Sequence, residues 1–188
     1  MSSQTEVQAV GTSDGAIPWT WRVPPGIVAV VAIGLAAGSL IHFDLTGRAF
    51  VAAGFCVVLT VLAAIDLERR IIPNRIVVPA GIAVLIADIA VEPDRAREWV
   101  IAAFAAGAGA FVVAVATRGG FGMGDVKLCF LLGAGLGWDV LGALVIGVFA
   151  GAVAALAVLA RHGLGARKTA IPYGPFLAFG AILTLFLS

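Results

Sequence analysis

Two aspartates stand beside strongly apolar stretches of the chain. Asp66 opens the segment Asp66-Leu-Glu-Arg-Arg-Ile-Ile-Pro-Asn74, and Asp125 lies in the segment Gly122-Met-Gly-Asp-Val-Lys-Leu128. Because an ionisable residue next to hydrocarbon-soluble chain is costly, it is by default a candidate for function. Two carboxylates that meet at a membrane face can carry out acid/base hydrolysis. The pair of aspartates is therefore a candidate hydrolytic site, and the alternative is that each is an ordinary charged residue at a membrane boundary.

The composition predicts a membrane protein of one principal domain. The 188 residues are 61% hydrophobic and 12% charged, with a mean hydropathy of +1.08. Soluble domains are about 45–50% apolar and about 25% charged. A net charge of +1 gives no reason to expect a nucleic-acid partner. Two cysteines without a CxxC pattern exclude a disulfide framework and a cysteine zinc site.

Seven apolar stretches predict an all-α membrane bundle. Six of them are interpreted as transmembrane spans, and residues 126–137 form one short or re-entrant helix, because a span needs about 20 apolar residues. Residues 1–25 are polar and then rich in Pro and Trp, which predicts a disordered tail before a transmembrane domain at 26–188. The six predicted spans are residues 26–41, 49–65, 76–91, 99–117, 140–160 and 171–187.

The distribution of basic residues predicts the orientation of the chain. Cytoplasmic connections carry an excess of Lys and Arg. One set of connections, together with the N-terminal tail, holds nine such residues and the other set holds three. This asymmetry predicts a cytoplasmic N-terminus and places both aspartates at the cytoplasmic face, provided that residues 126–137 cross the membrane or dip far enough into it to reverse direction with the span 140–160. The nine are Arg22, Arg69, Arg70, Arg75, Arg118, Lys127, Arg161, Arg167 and Lys168, and the three are Arg48, Arg95 and Arg97.

The residues near each aspartate predict local structure. Pro73 stops helix formation, and Asn74 is predicted to cap the third span. The glycine-rich stretch 118–124 lets backbone approach a neighbouring helix or an extended substrate, and Asp125 then begins a helix whose dipole favours its anion. Glu68 either attracts a basic substrate segment or is a solvated loop charge. Lys127 either biases the proton affinity of Asp125 or anchors its helix to lipid headgroups.

Three segments of the chain together resemble the type IV prepilin peptidases, which are bacterial members of the GxGD aspartyl protease group. Residues 122–128 match the GxGD motif with its Lys-Leu continuation, and residues 66–74 are similar to the segment that runs from the first aspartate to Ile-Pro-Asn. Residues 171–178, Ile-Pro-Tyr-Gly-Pro-Phe-Leu-Ala, resemble the C-terminal Pro-Phe-Gly-Pro-like segment. The resemblance covers about residues 30–188.

This resemblance implies a multi-pass protease of the cell (inner or plasma) membrane with Asp66 and Asp125 as its catalytic pair. One carboxylate would take a proton from water while the other polarises the scissile carbonyl, without a metal or an organic cofactor. The substrates would be prepilin-like proteins with a basic leader and a hydrophobic helix in the lipid bilayer. Residues expected to shape the site or bind substrate are Gly122, Gly124, Lys127, Pro73, Asn74 and Glu68.

The resemblance is to the short form of this family. Long prepilin peptidases carry an N-terminal cytoplasmic domain with two CxxC pairs, which is associated with N-methylation. This sequence is similar to the peptidase-only form of tight-adherence (Flp-type) pilus systems, so we do not expect it to transfer methyl groups.

Other functions are compatible with a membrane chain of this kind. One is a GxGD-type protease for another membrane substrate, such as a preflagellin-like protein. A second is a small ion-coupled transporter with the aspartates as ion ligands, although transport sites usually lie near the bilayer midplane. A third is a structural assembly platform, which offers no reason for a GxGD loop.

Overall fold

The described residues form a bundle of seven α-helices. The computed structural model describes residues 23–117, 121–162 and 172–188, and these ranges contain no strand. Most of the predicted tail 1–25, the first glycines of the stretch 118–124 and most of the predicted loop 161–170 lie outside the described residues. Two 3₁₀ turns, Pro93–Arg95 and Gly137–Asp139, precede α4 and α6. The helices are α1 (Pro25–His42), α2 (Gly47–Arg69), α3 (Asn74–Val91), α4 (Ala96–Ala116), α5 (Met123–Leu136), α6 (Val140–His162) and α7 (Gly174–Leu187).

The helices confirm the predicted all-α membrane class. Among the described residues, five stretches are long and apolar enough to cross a bilayer, and the fifth, Met123–Arg161, contains α5 and nearly all of α6. The helix α7 has 14 residues and is shorter than the predicted span, because it begins at Gly174 with Pro175 in its first turn. Pro73, rather than Asn74, is the N-cap residue of α3, so the predicted capping role of Asn74 is wrong.

The short helix α5 runs through the centre of the bundle from one end to the other. Except for Phe130, its residues from Leu128 to Leu136 are buried, and its main neighbours are α4 and α3. Its first turn lies against Ile72, and the residue that follows its last turn, Gly137, lies against Trp99 at the start of α4. The helix therefore runs from the end of the bundle where α3 begins towards the end where α4 begins, over 14 residues or about 21 Å.

Glycines allow α5 to approach its neighbours closely, as in other helix pairs of membrane proteins. Gly81 of α3 and Gly107 of α4 lie on the two sides of Phe130. A Cβ atom on Gly133 would overlap the carbonyl oxygen of Ala102. The backbones of α4 and α5 are thus in contact at Gly133.

The chain reverses direction between α5 and α6. Gly137 has a φ of +58°, a left-handed conformation that glycine adopts without strain. The helix α6 then packs antiparallel to α7, with Gly142 near Thr184 at one end and Gly151 near Tyr173 at the other. As a result, α7 begins at the same end of the bundle as α3 and α5, which is also where α2 ends.

The opposite end of the bundle contains a network of charged side chains. Arg48 approaches both Asp88 and Glu92, at 3.9 and 3.5 Å. The guanidinium groups of Arg48 and Arg95 lie 4.9 and 4.7 Å from the ring of the buried Trp99. Only 2% of Asp88 is exposed. These contacts join the start of α2 to α3 and α4, and the buried Asp88 lies inside this network.

Candidate active site

Asp66 lies in the last turn of α2 and is almost completely buried, with 5% of its surface exposed. Its Oδ2 atom accepts a hydrogen bond from the backbone N–H of Gly174, with an N···O distance of 2.9 Å. Gly174 is the first residue of α7, and such N–H groups have no partner within their own helix. The contact joins residues 108 positions apart in the sequence and orients the carboxylate of Asp66.

The absence of a side chain at Gly174 makes this contact possible. An ideal Cβ atom at this position would lie 2.7 Å from Oδ2 of Asp66 and 3.1 Å from its Cγ. Real Cβ atoms essentially never come within 3.0 Å of a heavy atom in another part of the structure. Any other residue would therefore displace either the carboxylate or the start of α7.

Asp125 is the third residue of α5. Its Oδ2 atom accepts a hydrogen bond from the N–H of Gly122, at 3.3 Å, while its own N–H donates to the carbonyl oxygen of Gly122, at 3.0 Å. Gly122 is the extended N-cap residue of α5. A carboxylate at this position satisfies a free donor of the helix N-terminus and interacts favourably with the helix dipole.

The structure brings the two predicted aspartates together. The carboxylates of Asp66 and Asp125 lie near enough for their charges to interact. Gly124 also packs against Ile72, with only 3.0 Å between an ideal Cβ and the Cβ of Ile72. The first turn of α5 is therefore in direct contact with the segment that follows Asp66.

A hydrogen bond between side chains connects the same two segments. Nζ of Lys127 donates to Oδ1 of Asn74 at 2.6 Å, on the exposed side of the site. Asn74 follows Pro73, which ends the segment between α2 and α3. Asn74, and with it the adjacent Pro73, thus lies beside the helix that carries Asp125.

Glu68 lies outside this group of contacts. It is exposed, and its Oε1 atom accepts a hydrogen bond from the N–H of Val23, at 3.1 Å, just before α1. Among the described residues, its hydrogen bond thus joins the end of α2 to the start of α1.

Two aromatic residues near the aspartates were not predicted as site residues. The rings of Phe121 and Tyr173 pack edge to face, with 6.3 Å between their centroids and an angle of 63° between their planes. The sequence signal was that each residue directly precedes a glycine and lies in a segment described above, 118–124 for Phe121 and 171–178 for Tyr173. Their contact depends on the packing of α5 against α7, which the sequence does not show.

The chemistry available at this site is that of two carboxylates and backbone donors. Within residues 23–117, 121–162 and 172–188, no three His, Cys, Asp or Glu side chains are grouped as ligands for a metal ion. Two neighbouring carboxylates cannot easily both ionise, so such a pair shares a proton and titrates as a unit. One ionised and one protonated carboxyl group can act as a general base and a general acid.

Comparison with known proteins relates this site to a family. The chain is 34% identical over 175 residues to a prepilin leader peptidase/N-methyltransferase of Burkholderia pseudomallei (strain 1026b), which covers 88% of this chain and 56% of that relative. It is 32% identical over 157 residues to the protein of the same name from Bacillus subtilis (strain 168), which covers 79% of this chain and 60% of that relative. The chain thus spans somewhat more than half the length of these curated relatives. No solved structure gives a significant match. The profile of the type IV leader peptidase family matches residues 53–188, which include both aspartates and all of α3 to α7, and the chain belongs to this family.

Proposed function

We propose that this chain is a membrane aspartyl endopeptidase that removes the leader of prepilin-like proteins. The observation that carries the proposal is the pair of carboxylates on α2 and α5, each of which accepts a hydrogen bond from a glycine N–H at the end of the bundle where α5 and α7 begin. Membership in the type IV leader peptidase family supports the class of substrate. The names of the two relatives support it as well.

In the proposed reaction, the ionised carboxyl group of the pair removes a proton from a water molecule, whose oxygen attacks the scissile carbonyl carbon. The protonated carboxyl group donates its hydrogen to the carbonyl oxygen, which becomes a hydroxyl group. Collapse of this tetrahedral species breaks the C–N bond. The proton taken from water passes to the leaving nitrogen, and one hydroxyl group returns its proton to the carboxylate that had donated it, so that the carbonyl of the new carboxyl group forms. The products are a leader with a free carboxyl group and a mature chain with a free amine, and the pair returns to its shared-proton state.

The position of the site in the bundle supports cleavage at a membrane face. The site lies where α2 ends and where α3, α5 and α7 begin, rather than halfway along the helices. A substrate with a polar leader and an apolar helix would change from polar to apolar at the membrane face. An ion-coupled transporter is less compatible with this position, because transport sites usually lie near the bilayer midplane.

The test is co-expression of the chain with candidate prepilins, with leader removal followed by mass spectrometry. The variants Asp66→Asn and Asp125→Asn keep the size of the side chain and remove its charge. We expect each to lower the cleavage rate by at least about 10²-fold. The double variant should be hardly worse than either single one, because groups that act as a unit are strongly non-additive.

Asp88→Asn is the matched control, since it removes a buried carboxylate at the opposite end of the bundle. We expect it to retain cleavage. If either active-site variant is inserted and cleaves at nearly the wild-type rate, that aspartate has no part in the reaction. If both do so, the protease proposal fails and the transporter becomes the better hypothesis.

We further propose that the site faces the cytoplasm of a multi-pass inner or plasma membrane protein. The connections at the end of the bundle that holds the two aspartates contain more Lys and Arg than the connections at the opposite end, which supports this orientation. Single cysteines placed at Arg70 and Arg97, in a background without Cys56 and Cys129, should react with a membrane-impermeant thiol reagent from opposite sides. Labelling of both positions from one side would contradict the proposed orientation.

A further inference from the structure

The two backbone donors of the site share a local feature. Gly122, which donates to Asp125, directly follows Phe121, and Gly174, which donates to Asp66, directly follows Tyr173. Each donor N–H therefore belongs to a peptide group that begins with the carbonyl of an aromatic residue. Because the peptide group is planar, the ψ angle of the aromatic residue determines the direction of the following N–H.

The two aromatic rings are in contact with each other. Their centroids are 6.3 Å apart at an angle of 63°, within the range of edge-to-face pairs. Phe121 packs against the hydrophobic core of the bundle. Tyr173 is supported from α6, since an ideal Cβ on Gly151 would lie 3.3 Å from Cε1 of its ring. Each ring is thus held by helices. The contact between the rings connects the two helix N-termini that carry the donors.

We propose that Phe121 and Tyr173 are positioning residues that hold the N–H groups of Gly122 and Gly174 in the geometry that orients the two carboxylates. The inference rests on the proposed function and extends it. The described hydrogen bonds to the two carboxylates come from glycine N–H groups and not from the aromatic side chains. The rings therefore act through the peptide groups that follow them. Movement of one ring releases the other, and both donors are affected together.

The experiment measures kcat and KM for the prepilin that the wild-type chain processes, with purified protein in liposomes. Phe121→Ala and Tyr173→Ala should each lower kcat by about ten- to a hundredfold, the range expected for a carboxylate misplaced by up to 1 Å. KM should stay within about twofold, because the substrate contacts remain. The double variant should be no worse than the poorer single variant, since either change breaks the same contact.

Two variants separate positioning from other roles. Tyr173→Phe keeps the ring and loses the hydroxyl group, so it should retain nearly full activity. Phe104→Ala is the matched control, because Phe104 and Phe130 form an edge-to-face pair at 5.3 Å on α4 and α5. It should leave both kinetic constants near their wild-type values.

Several results would overturn the inference. One is wild-type kcat in both alanine variants, and a second is multiplicative loss of kcat in the double variant. A third is loss of activity in Tyr173→Phe. A fourth is a rise in KM at constant kcat, which would mean that the rings bind substrate. If the alanine variants do not fold, Phe121→Leu and Tyr173→Leu keep the apolar volume without the ring, and the same fall in kcat is expected. Full cleavage by the Asp66→Asn and Asp125→Asn variants contradicts the proposed function instead, whereas inactive aspartate variants with fully active aromatic variants contradict only this inference.

Discussion

Replacing Gly174 by alanine should damage catalysis much more than folding. The added methyl carbon would lie 2.7 Å from Oδ2 of Asp66, whereas ordinary contacts of Cβ atoms begin at 3.4 Å. The three nearest atoms, Oδ2, Cγ and Cβ, all belong to the side chain of Asp66, so we expect this side chain to move rather than the backbone of the bundle. The carboxylate is, however, the group on which the proposed reaction depends.

The size of the effect follows from the same distances. Relief of the overlap requires a movement of up to about 0.7 Å, which would lengthen the 2.9 Å hydrogen bond between the Gly174 N–H and Asp66 to about 3.6 Å. At that distance the hydrogen bond is lost. A hydrogen bond to a charged group contributes about 1.5–3 kcal/mol, which corresponds to about a ten- to 150-fold loss of rate.

The assay compares kcat for leader cleavage with the thermal unfolding of each purified variant. Gly54→Ala is the control, because Gly54 lies on the same helix as Asp66 and an ideal Cβ there has no neighbour within 4 Å. It should keep wild-type kcat, while Gly174→Ala should lose rate with an almost unchanged melting temperature. A kcat for Gly174→Ala within about threefold of the wild type, in a folded and inserted protein, would refute the role assigned to this hydrogen bond.

Three further predictions concern pH, packing and the exposed side of the site. The rate of cleavage should fall on the alkaline side as the carboxylate pair loses its shared proton and on the acid side as both groups become protonated, and a rate that is flat across both limbs would contradict the pair. Gly133→Ala should lower the unfolding free energy by about 1–3 kcal/mol because its methyl group would overlap the carbonyl of Ala102, whereas Gly109→Ala, with no neighbour within 4 Å, should not be destabilising in thermal or denaturant unfolding. Lys127→Met and Asn74→Ala each remove the same 2.6 Å hydrogen bond, so each should reduce kcat by only about two- to fivefold and their effects should not multiply, as a double-mutant cycle can measure.

Hydropathy was sufficient to predict where the helices lie in the sequence, but not which of them are surrounded by other helices rather than by lipid. The predicted apolar stretches correspond to α1 through α7 with shifts of a few residues at their ends. The sequence left open whether the stretch 126–137 crosses the bundle, because a helix in the core and a helix in lipid are equally apolar. The structure shows α5 surrounded by α3 and α4, with Gly81, Gly107 and Gly133 at the points of closest approach. Glycine spacing along three different helices produces this fit, and no single segment reveals it.

The site was predictable where its chemistry is local and was missed where it depends on distant contacts. Both aspartates, and the loop that precedes Asp125, could be identified from short segments and from the family resemblance. The Gly174 donor lies 108 residues from Asp66, and the Tyr173 ring meets Phe121 only after α7 has packed into the bundle. Asp88 illustrates the same limit, because its position inside the charged network depends on Arg48, which lies 40 residues earlier on another helix.

The geometry of the site also follows from a restriction on helical membrane proteins. Along the apolar part of a transmembrane helix, each backbone N–H is already bonded to a carbonyl of the same helix. The donors that remain free are those of the first turn, and they lie at the ends of the bundle. The two donors that orient the carboxylates, Gly122 and Gly174, stand at the N-termini of α5 and α7. A pair of aspartates in an all-helical membrane protein can obtain such backbone donors most readily at a membrane face. This is also the depth at which a chain with a polar leader and an apolar helix would present the peptide bond between them.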